Sequence, residues 1–251
     1  MRILLSNDDG FDAPGMVTLK KIAAALSDDV IVVAPAKEQS GASRSLTLHD
    51  PIRINKYSDT EYSVSGTPTD CVMMALNYIF KDSPPDLILS GVNRGGNLGE
   101  DVLYSGTVAA ASEGTLLGVR SVAISQCILD PENIHWDTAE KMAPEIIKNL
   151  LEMEWGSGTL MNINFPPVPV EEVKGIQATR QGKRDLSNLL IDARVDARGT
   201  DYFWLGYRPS IGEPSEGVDL HAVSTGYISV TPLNLNLTAD PLMSDLAKQL
   251  S

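Results

Sequence analysis

Four short stretches carry side chains suited to chemistry, and all are rich in oxygen. Asp8 and Asp9 stand together in Asn7-Asp8-Asp9-Gly10. Ser40 lies in the polar stretch 36–45. Asn93 and Asn97 lie in Gly91-Val92-Asn93-Arg94-Gly95-Gly96-Asn97, and Ser105 and Thr107 flank Gly106. Carboxylate, hydroxyl and amide oxygens are hard ligands, suited to Mg²⁺ or Mn²⁺ rather than to zinc or copper. Adjacent carboxylates repel each other unless a cation or strong donors compensate. A hard cation beside a helix start, with its free N–H groups, suits phosphoryl chemistry. Each stretch also has a plainer reading. Asn7–Gly10 could be an acidic turn, Ser40 a turn cap, Asn93 a left-handed turn residue and Ser105 a helix cap.

The elements around these stretches decide where they meet. Residues 2–6 form a short apolar run of the buried-strand type. A helical pattern follows over 15–26, with Met16, Leu19, Ile22, Ala23 and Leu26 on one face. Residues 30–35 form a second apolar run stopped by Pro35. Strand, helix, strand with so short a crossover predicts parallel pairing and a right-handed connection. Both runs then release their oxygen-rich loops at the same, carboxyl, edge of one sheet, where ligands bind in open α/β sheets.

Short antiparallel strands are expected at 46–48, 52–54 and 62–64. A helix follows from Pro68 to Phe80, with Thr67 as cap and Asp70 in the capping-box position. Residues 86–90 read as a third buried strand, opening into a glycine-rich loop that runs to Ser105. Long irregular loops in compact domains are usually functional. A small-residue helix (from Val108), a strand (119–125), a long amphipathic helix (136–154) and a strand (160–165) complete this region. Beyond Pro169 a strand is expected at 175–180, and then a charged arm or hairpin at 181–200. A strand (201–208), a helical turn (219–224), a strand (227–233) and a closing helix (241–250) end the chain. The expected class is α/β with a mostly parallel sheet.

Composition removes several alternatives. The chain has 251 residues, and its net charge of −13 disfavours stable nucleic-acid binding. No basic leader and no run of about 18 apolar residues occurs, so a soluble cytoplasmic protein without membrane contact is expected. Three scattered histidines, His49, His135 and His221, have no metal-ligand spacing. Cys71 and Cys127 read as buried free thiols. No Gly-x-Gly-x-x-Gly follows the first strand, which argues against a dinucleotide oxidoreductase. No Gly-x-Ser-x-Gly surrounds Ser43 or Ser105, which argues against a serine hydrolase. No P-loop is present, and Gly10 stands where a haloacid-type phosphatase needs a second aspartate.

Taken in order, the motifs match a known family. They are Asn7-Asp8-Asp9-Gly10, Ala34-Pro35-x₄-Ser40, Gly66-Thr67-Pro68-x-Asp70-Cys71, Ser90-Gly91-Val92-Asn93-x-Gly95-x-Asn97-x-Gly99 and Tyr104-Ser105-Gly106-Thr107-Val108. Thr179-Arg180-Gln181 and the stretch 226–233 extend the match over nearly the whole chain. The combination resembles the SurE family of metal-dependent 5′/3′-nucleotidases. That resemblance implies one domain over 1–251, with a Rossmann-like three-layer core (about 1–170) and an oligomerisation arm with C-terminal elements (about 171–251). It implies one divalent cation, Mg²⁺ or Mn²⁺, on Asp8, Asp9, Ser40 and Asn93, with Asn97, Ser105, Gly106 and Thr107 near the substrate phosphate. It also implies a homodimer or homotetramer with swapped C-terminal elements, and a cytoplasmic home.

The expected activity is hydrolysis of nucleoside 5′- and 3′-monophosphates, extending to short polyphosphate. Asp8 and Asp9 are the catalytic candidates, either orienting water or, at Asp9, attacking directly. The alternative is a non-catalytic nucleotide-binding regulator on the same fold.

Overall fold

The computed structural model describes residues 1–184, 189–207 and 214–250. The apolar runs become the strands β1 (Arg2–Ser6), β2 (Asp29–Pro35), β5 (Leu87–Arg94), β6 (Arg120–Gln126) and β7 (Thr159–Phe165). They lie beside β3 (Ile54–Lys56), β4 (Glu61–Val64), β8 (Ile176–Ala178) and β11 (Ile228–Asn234) in one nine-stranded sheet, ordered β3-β4-β2-β1-β5-β6-β7-β11-β8. From β4 to β7 every pairing is parallel. β3 runs antiparallel to β4, and β11 antiparallel to β7. Strands buried on both faces need no polar alternation, which is why β1 reads as an unbroken apolar run.

Helices cover both faces. Ile3 and Leu5 face the layer made by α1 (Pro14–Ala24) and α4 (Trp136–Leu151). Leu4, Ile31, Val33 and Ile88 face α2 (Pro68–Met74) and α3 (Gly106–Leu116). The chain runs from β1 through α1 to β2 on one side, then returns to β5 on the other side of β1. The order therefore reverses at β1, and the crevice at such a switch point is the expected ligand site of an open α/β sheet.

Three local expectations change. Residues 46–48 form no strand, because their polar groups are already engaged: Thr47 N–H and Oγ1–H donate to the Asp70 carboxylate at 3.2 and 2.6 Å. β4 pairs parallel with β2, so only β3 is antiparallel in that region. The expected 68–80 helix ends as α at Met74 and widens into π-helical turns over Ala75–Ile79. The capping box at its start forms as expected, with Thr67 Oγ1 and the Asp70 carboxylate each accepting from the other's backbone N–H.

The charged arm is a hairpin: β9 (Leu189–Val195) pairs antiparallel with β10 (Asp201–Tyr207), forming a two-stranded sheet separate from the main one. Residues 185–188 of the expected arm, and Arg208 of the expected strand, lie outside the described residues. α5 (Asp219–Ser224) precedes β11, and α6 (Asp240–Leu250) closes the fold with none of its residues buried. Both cysteines are buried free thiols. Among the described residues, no helix is long and apolar enough to cross a membrane.

Candidate functional site at the rim of the sheet

β1 ends in a turn locked by its own asparagine. Asn7 Nδ2 donates to Gly10 O at 2.8 Å, and Gly10 N–H returns to Asn7 Oδ1 at 3.3 Å. This fixes the two carboxylates between them at the switch point. Asp8 is buried and Asp9 half-buried. The turn is also tied to β2, through Phe11 N–H to Pro35 O at 2.8 Å.

Backbone contacts bring the other rim loops to this turn. Gln39 N–H donates to Asp8 O at 2.8 Å, so Ser40 follows directly on a residue bound to the turn. Arg94 N–H donates to Asp9 Oδ2 at 3.1 Å, which sets the Asn93–Arg94 end of β5 against the second carboxylate. Ser40 is exposed, and its hydroxyl donates to Glu38 Oε1 at 3.0 Å. Asn93 Nδ2 donates to Gly95 O at 2.8 Å, while its Oδ1 receives no donor among the described residues.

The start of α3 meets Asp8 directly. Thr107 Oγ1–H donates to Asp8 Oδ1. A Cβ added at Gly106 would stand 2.6 Å from Asp8 Cβ and 2.9 Å from its Oδ2, so only glycine allows this approach. Burial raises the Asp8 pKa, while the Thr107 hydroxyl and the N–H groups of Thr107 and Gly106 favour its ionised form. The helix start expected to meet a substrate anion therefore meets a protein anion first. Ser105 caps α3 by accepting from Val108 N–H at 3.0 Å.

Asn97 sits deeper. Its Nδ2 donates to Ser125 Oγ, its backbone N–H donates to Asn164 Oδ1, and its carbonyl accepts from Asn162 Nδ2, each at 2.8 Å. Asn162 and Asn164 are fully buried in β7 and hold the glycine-rich loop by its backbone. They were not singled out from the sequence, although two asparagines at i, i+2 in an apolar strand are a usable signal. Arg94, Glu38 and Asp219 were also missed. Buried Asp219 accepts from Gly99 N–H and Gly182 N–H, both at 2.8 Å. Arg184 adds a 2.6 Å ion pair to Asp101. The segment 180–184 thereby clamps the loop that leads to Ser105.

Electrostatically the turn is under-compensated. Burial raises the Asp9 pKa from 3.8 to about 6, with the neighbouring Asp8 charge and then Glu38 adding to it; the Arg94 N–H and charge act the other way. Among the described residues, no lysine or arginine forms an ion pair with either carboxylate. Among the described residues, no three His, Cys, Asp or Glu side chains gather as a metal cluster either. Two carboxylates on the turn, with the Ser40 hydroxyl and the Asn93 amide oxygen on the loops tied to it, are oxygen donors of the kind that fits a hard divalent cation rather than a soft one.

Known proteins place this rim in context. The model of the family described as Survival protein SurE matches residues 3–188. A protein of Caulobacter vibrioides named 5′-nucleotidase SurE is 54% identical over 241 residues, covering 95% of this chain and 92% of its own. One of the same name from Beijerinckia indica is 51% identical over 254 residues, covering 100% and 97%. The crystal structure of the SurE protein from Aquifex aeolicus superposes with a TM-score of 0.87 at 39% identity, covering both chains completely. With its switch-point carboxylates, its α/β sheet and this likeness along its whole length, the chain belongs to the SurE family.

Proposed function

We propose that the chain is a divalent-metal-dependent 5′-nucleotidase that hydrolyses nucleoside monophosphates at the Asp8–Asp9 turn. The observation that carries this reading is the pair of adjacent carboxylates at the switch point, one buried and one half-buried, with which no lysine or arginine of the described residues forms an ion pair. Relatives named 5′-nucleotidase at 49–54% identity support it. Asp8, Asp9, Ser40 and Asn93 would hold one Mg²⁺ or Mn²⁺. Such a cation supplies charge neutralisation at the phosphoryl group and makes water more acidic. Asp8, held by Thr107 and the α3 N-terminus, keeps its carboxylate aimed at the rim. Asp9 orients the attacking water. Ser105, whose hydroxyl hydrogen has no acceptor among the described residues, stands near the phosphate with Asn97, Gly106 and Thr107, stabilising charge on the phosphoryl oxygens. We extend the activity to 3′-monophosphates and short polyphosphate.

Phosphate release from AMP, GMP and 3′-AMP by EDTA-stripped protein, with and without Mn²⁺ or Mg²⁺, tests this directly. Release from each is expected only with metal. Release that survives chelation refutes the metal assignment, and no release from any of them leaves a nucleotide-binding regulator.

We further propose that residues 1–251 act as one unit, with the β9–β10 hairpin and α6 as the contacts of a cytoplasmic homodimer or homotetramer. The hairpin exposes Ile191, Phe203, Trp204 and Leu205, and α6 exposes Leu242, Met243, Leu246 and Leu250. Exposed apolar surface on this scale marks an interaction site. The double change Trp204→Asp with Leu205→Asp is expected to lower the solution mass in light scattering while preserving the circular dichroism of the core. An unchanged mass would exclude the hairpin as a contact.

A further inference from the structure

A cavity of about 360 Å³ lies against the glycine-rich loop that follows β5, within the range of about 300–1,000 Å³ usual for small-molecule sites. Its floor is a buried apolar cluster, Leu98, Cys127, Leu220 and Val223, and the exposed Leu129 forms its lip. It approaches the candidate site at Gly95, which follows directly on Arg94, the residue whose N–H donates to Asp9 Oδ2 at 3.1 Å. Gly95 and Gly96 line it, and Gly95 O is the atom to which Asn93 Nδ2 donates at 2.8 Å. Gly96 keeps that wall thin, since a Cβ there would stand 2.6 Å from Cys127 Sγ.

The lining carries no free charge. Arg184 is the only charged lining residue among the described residues, and its guanidinium is engaged with Asp101 at 2.6 Å. Ser224, also at the lining, donates its hydroxyl to His221 O at 3.0 Å. The Cys127 thiol is neutral, its pKa pushed up by burial to about 12. A neutral apolar hollow near an acidic rim that would hold a cation and a phosphate matches a substrate with one charged end and one flat, uncharged end.

We propose that this cavity receives the nucleoside moiety of the substrate, base inward, while the phosphate lies at the Asp8–Asp9 turn. The proposal rests on the nucleotidase reading of that turn. Its discriminating variants lie at exposed positions where folding tolerates change: Leu129→Asp puts a charge on the lip, and Ser224→Trp fills the hollow.

Two measurements on the intact protein separate the cavity from the rim. Adenosine, which has no phosphate, is expected to bind the metal-free wild type, and each variant is expected to weaken that binding about tenfold. In metal-loaded protein, both variants are expected to raise KM for AMP by a similar factor. They should leave kcat/KM for ribose 5-phosphate, an ester without a base, within about twofold. Adenosine that does not bind wild type, or binds both variants as well as wild type, overturns the proposal. So do equal effects on AMP and ribose 5-phosphate. If neither ester is hydrolysed, the nucleotidase reading fails, and adenosine binding still decides what the cavity takes.

Discussion

Asp9→Asn gives a metal-free protein that melts above wild type at pH 7–8 and no longer gains stability from Mn²⁺. Proton linkage sets the sign of this effect. Asp9 has an ordinary pKa of 3.8 and one near 6 in the folded state, raised first by burial and then by Asp8. The folded state therefore binds the proton more tightly than the unfolded state. Stability from this group is fully present below pH 3.8, falls as pH rises toward 6 and is lost above that. The shift corresponds to at most about 3 kcal/mol, and partial solvent contact reduces this to about 1–2 kcal/mol. Asparagine keeps the acceptor for Arg94 N–H and removes the charge. The gain in Tm is expected to be about 2–8 °C at neutral pH for a chain of this size, vanishing below pH 4. Scanning calorimetry of EDTA-treated wild type and variant across pH 4–8 measures it. A cation at the turn reverses the sign for wild type, because its ligands must be deprotonated, so metal affinity falls as pH drops below 6. A variant that melts lower than wild type without metal at pH 8 would mean that Asp9 is a structural carboxylate.

Gly106→Ala is expected to lower Tm and to weaken Mn²⁺ binding at least about tenfold. The added methyl group would meet Asp8 Cβ at 2.6 Å and Pro68 Cγ at 3.0 Å. None of these atoms is the free end of a flexible chain. Asp8 is held by Thr107, and Pro68 is a ring at the first position of α2. Overpacking of this kind costs about 1–3 kcal/mol, or about 2–12 °C in Tm. Relief by moving α3 or Asp8 takes the carboxylate off the position that its donors define, which is why metal binding suffers beyond the stability loss. Gly156→Ala is the control, since its nearest neighbour would be Thr159 Oγ1 at an ordinary 3.6 Å. Calorimetric Mn²⁺ titration of both variants decides the matter. Metal affinity kept in a folded Gly106→Ala protein would refute the tie between α3 and Asp8.

The parts of the rim that were legible in the sequence are those that depend on neighbours along the chain. A paired carboxylate after a strand, a capping box and glycine-rich turns all declare themselves within a few residues. So do apolar runs long enough to span a sheet and the periodicity of α4. What stayed hidden depends on distant pairing. Nothing near Thr107 indicates that its hydroxyl serves Asp8, 99 positions away. Asp219 looks like an ordinary acidic residue at a helix start, yet it joins two segments through Gly99 and Gly182. Leu46–Leu48 alternate as a strand would, but Asp70 takes the polar groups that a ladder would need. β5 runs on to Arg94 through Gly91, where the sequence suggests a loop, because neighbouring β6 offers a pairing edge there, with a shift in register between Ser90 and Asn93.

The order of the main sheet also bears on how the chain avoids clumping. Its two outermost strands, β3 and β8, are three residues long. An unpaired edge that short presents too few backbone groups to template a neighbouring molecule. The β9–β10 hairpin is the reverse: each strand has seven residues, no further strand of the described residues pairs with it, and aromatic side chains stand on it. Among the described strands, exposure to edge-to-edge association is thus concentrated in one element, and the chain is expected to associate off pathway through the edges of this hairpin first.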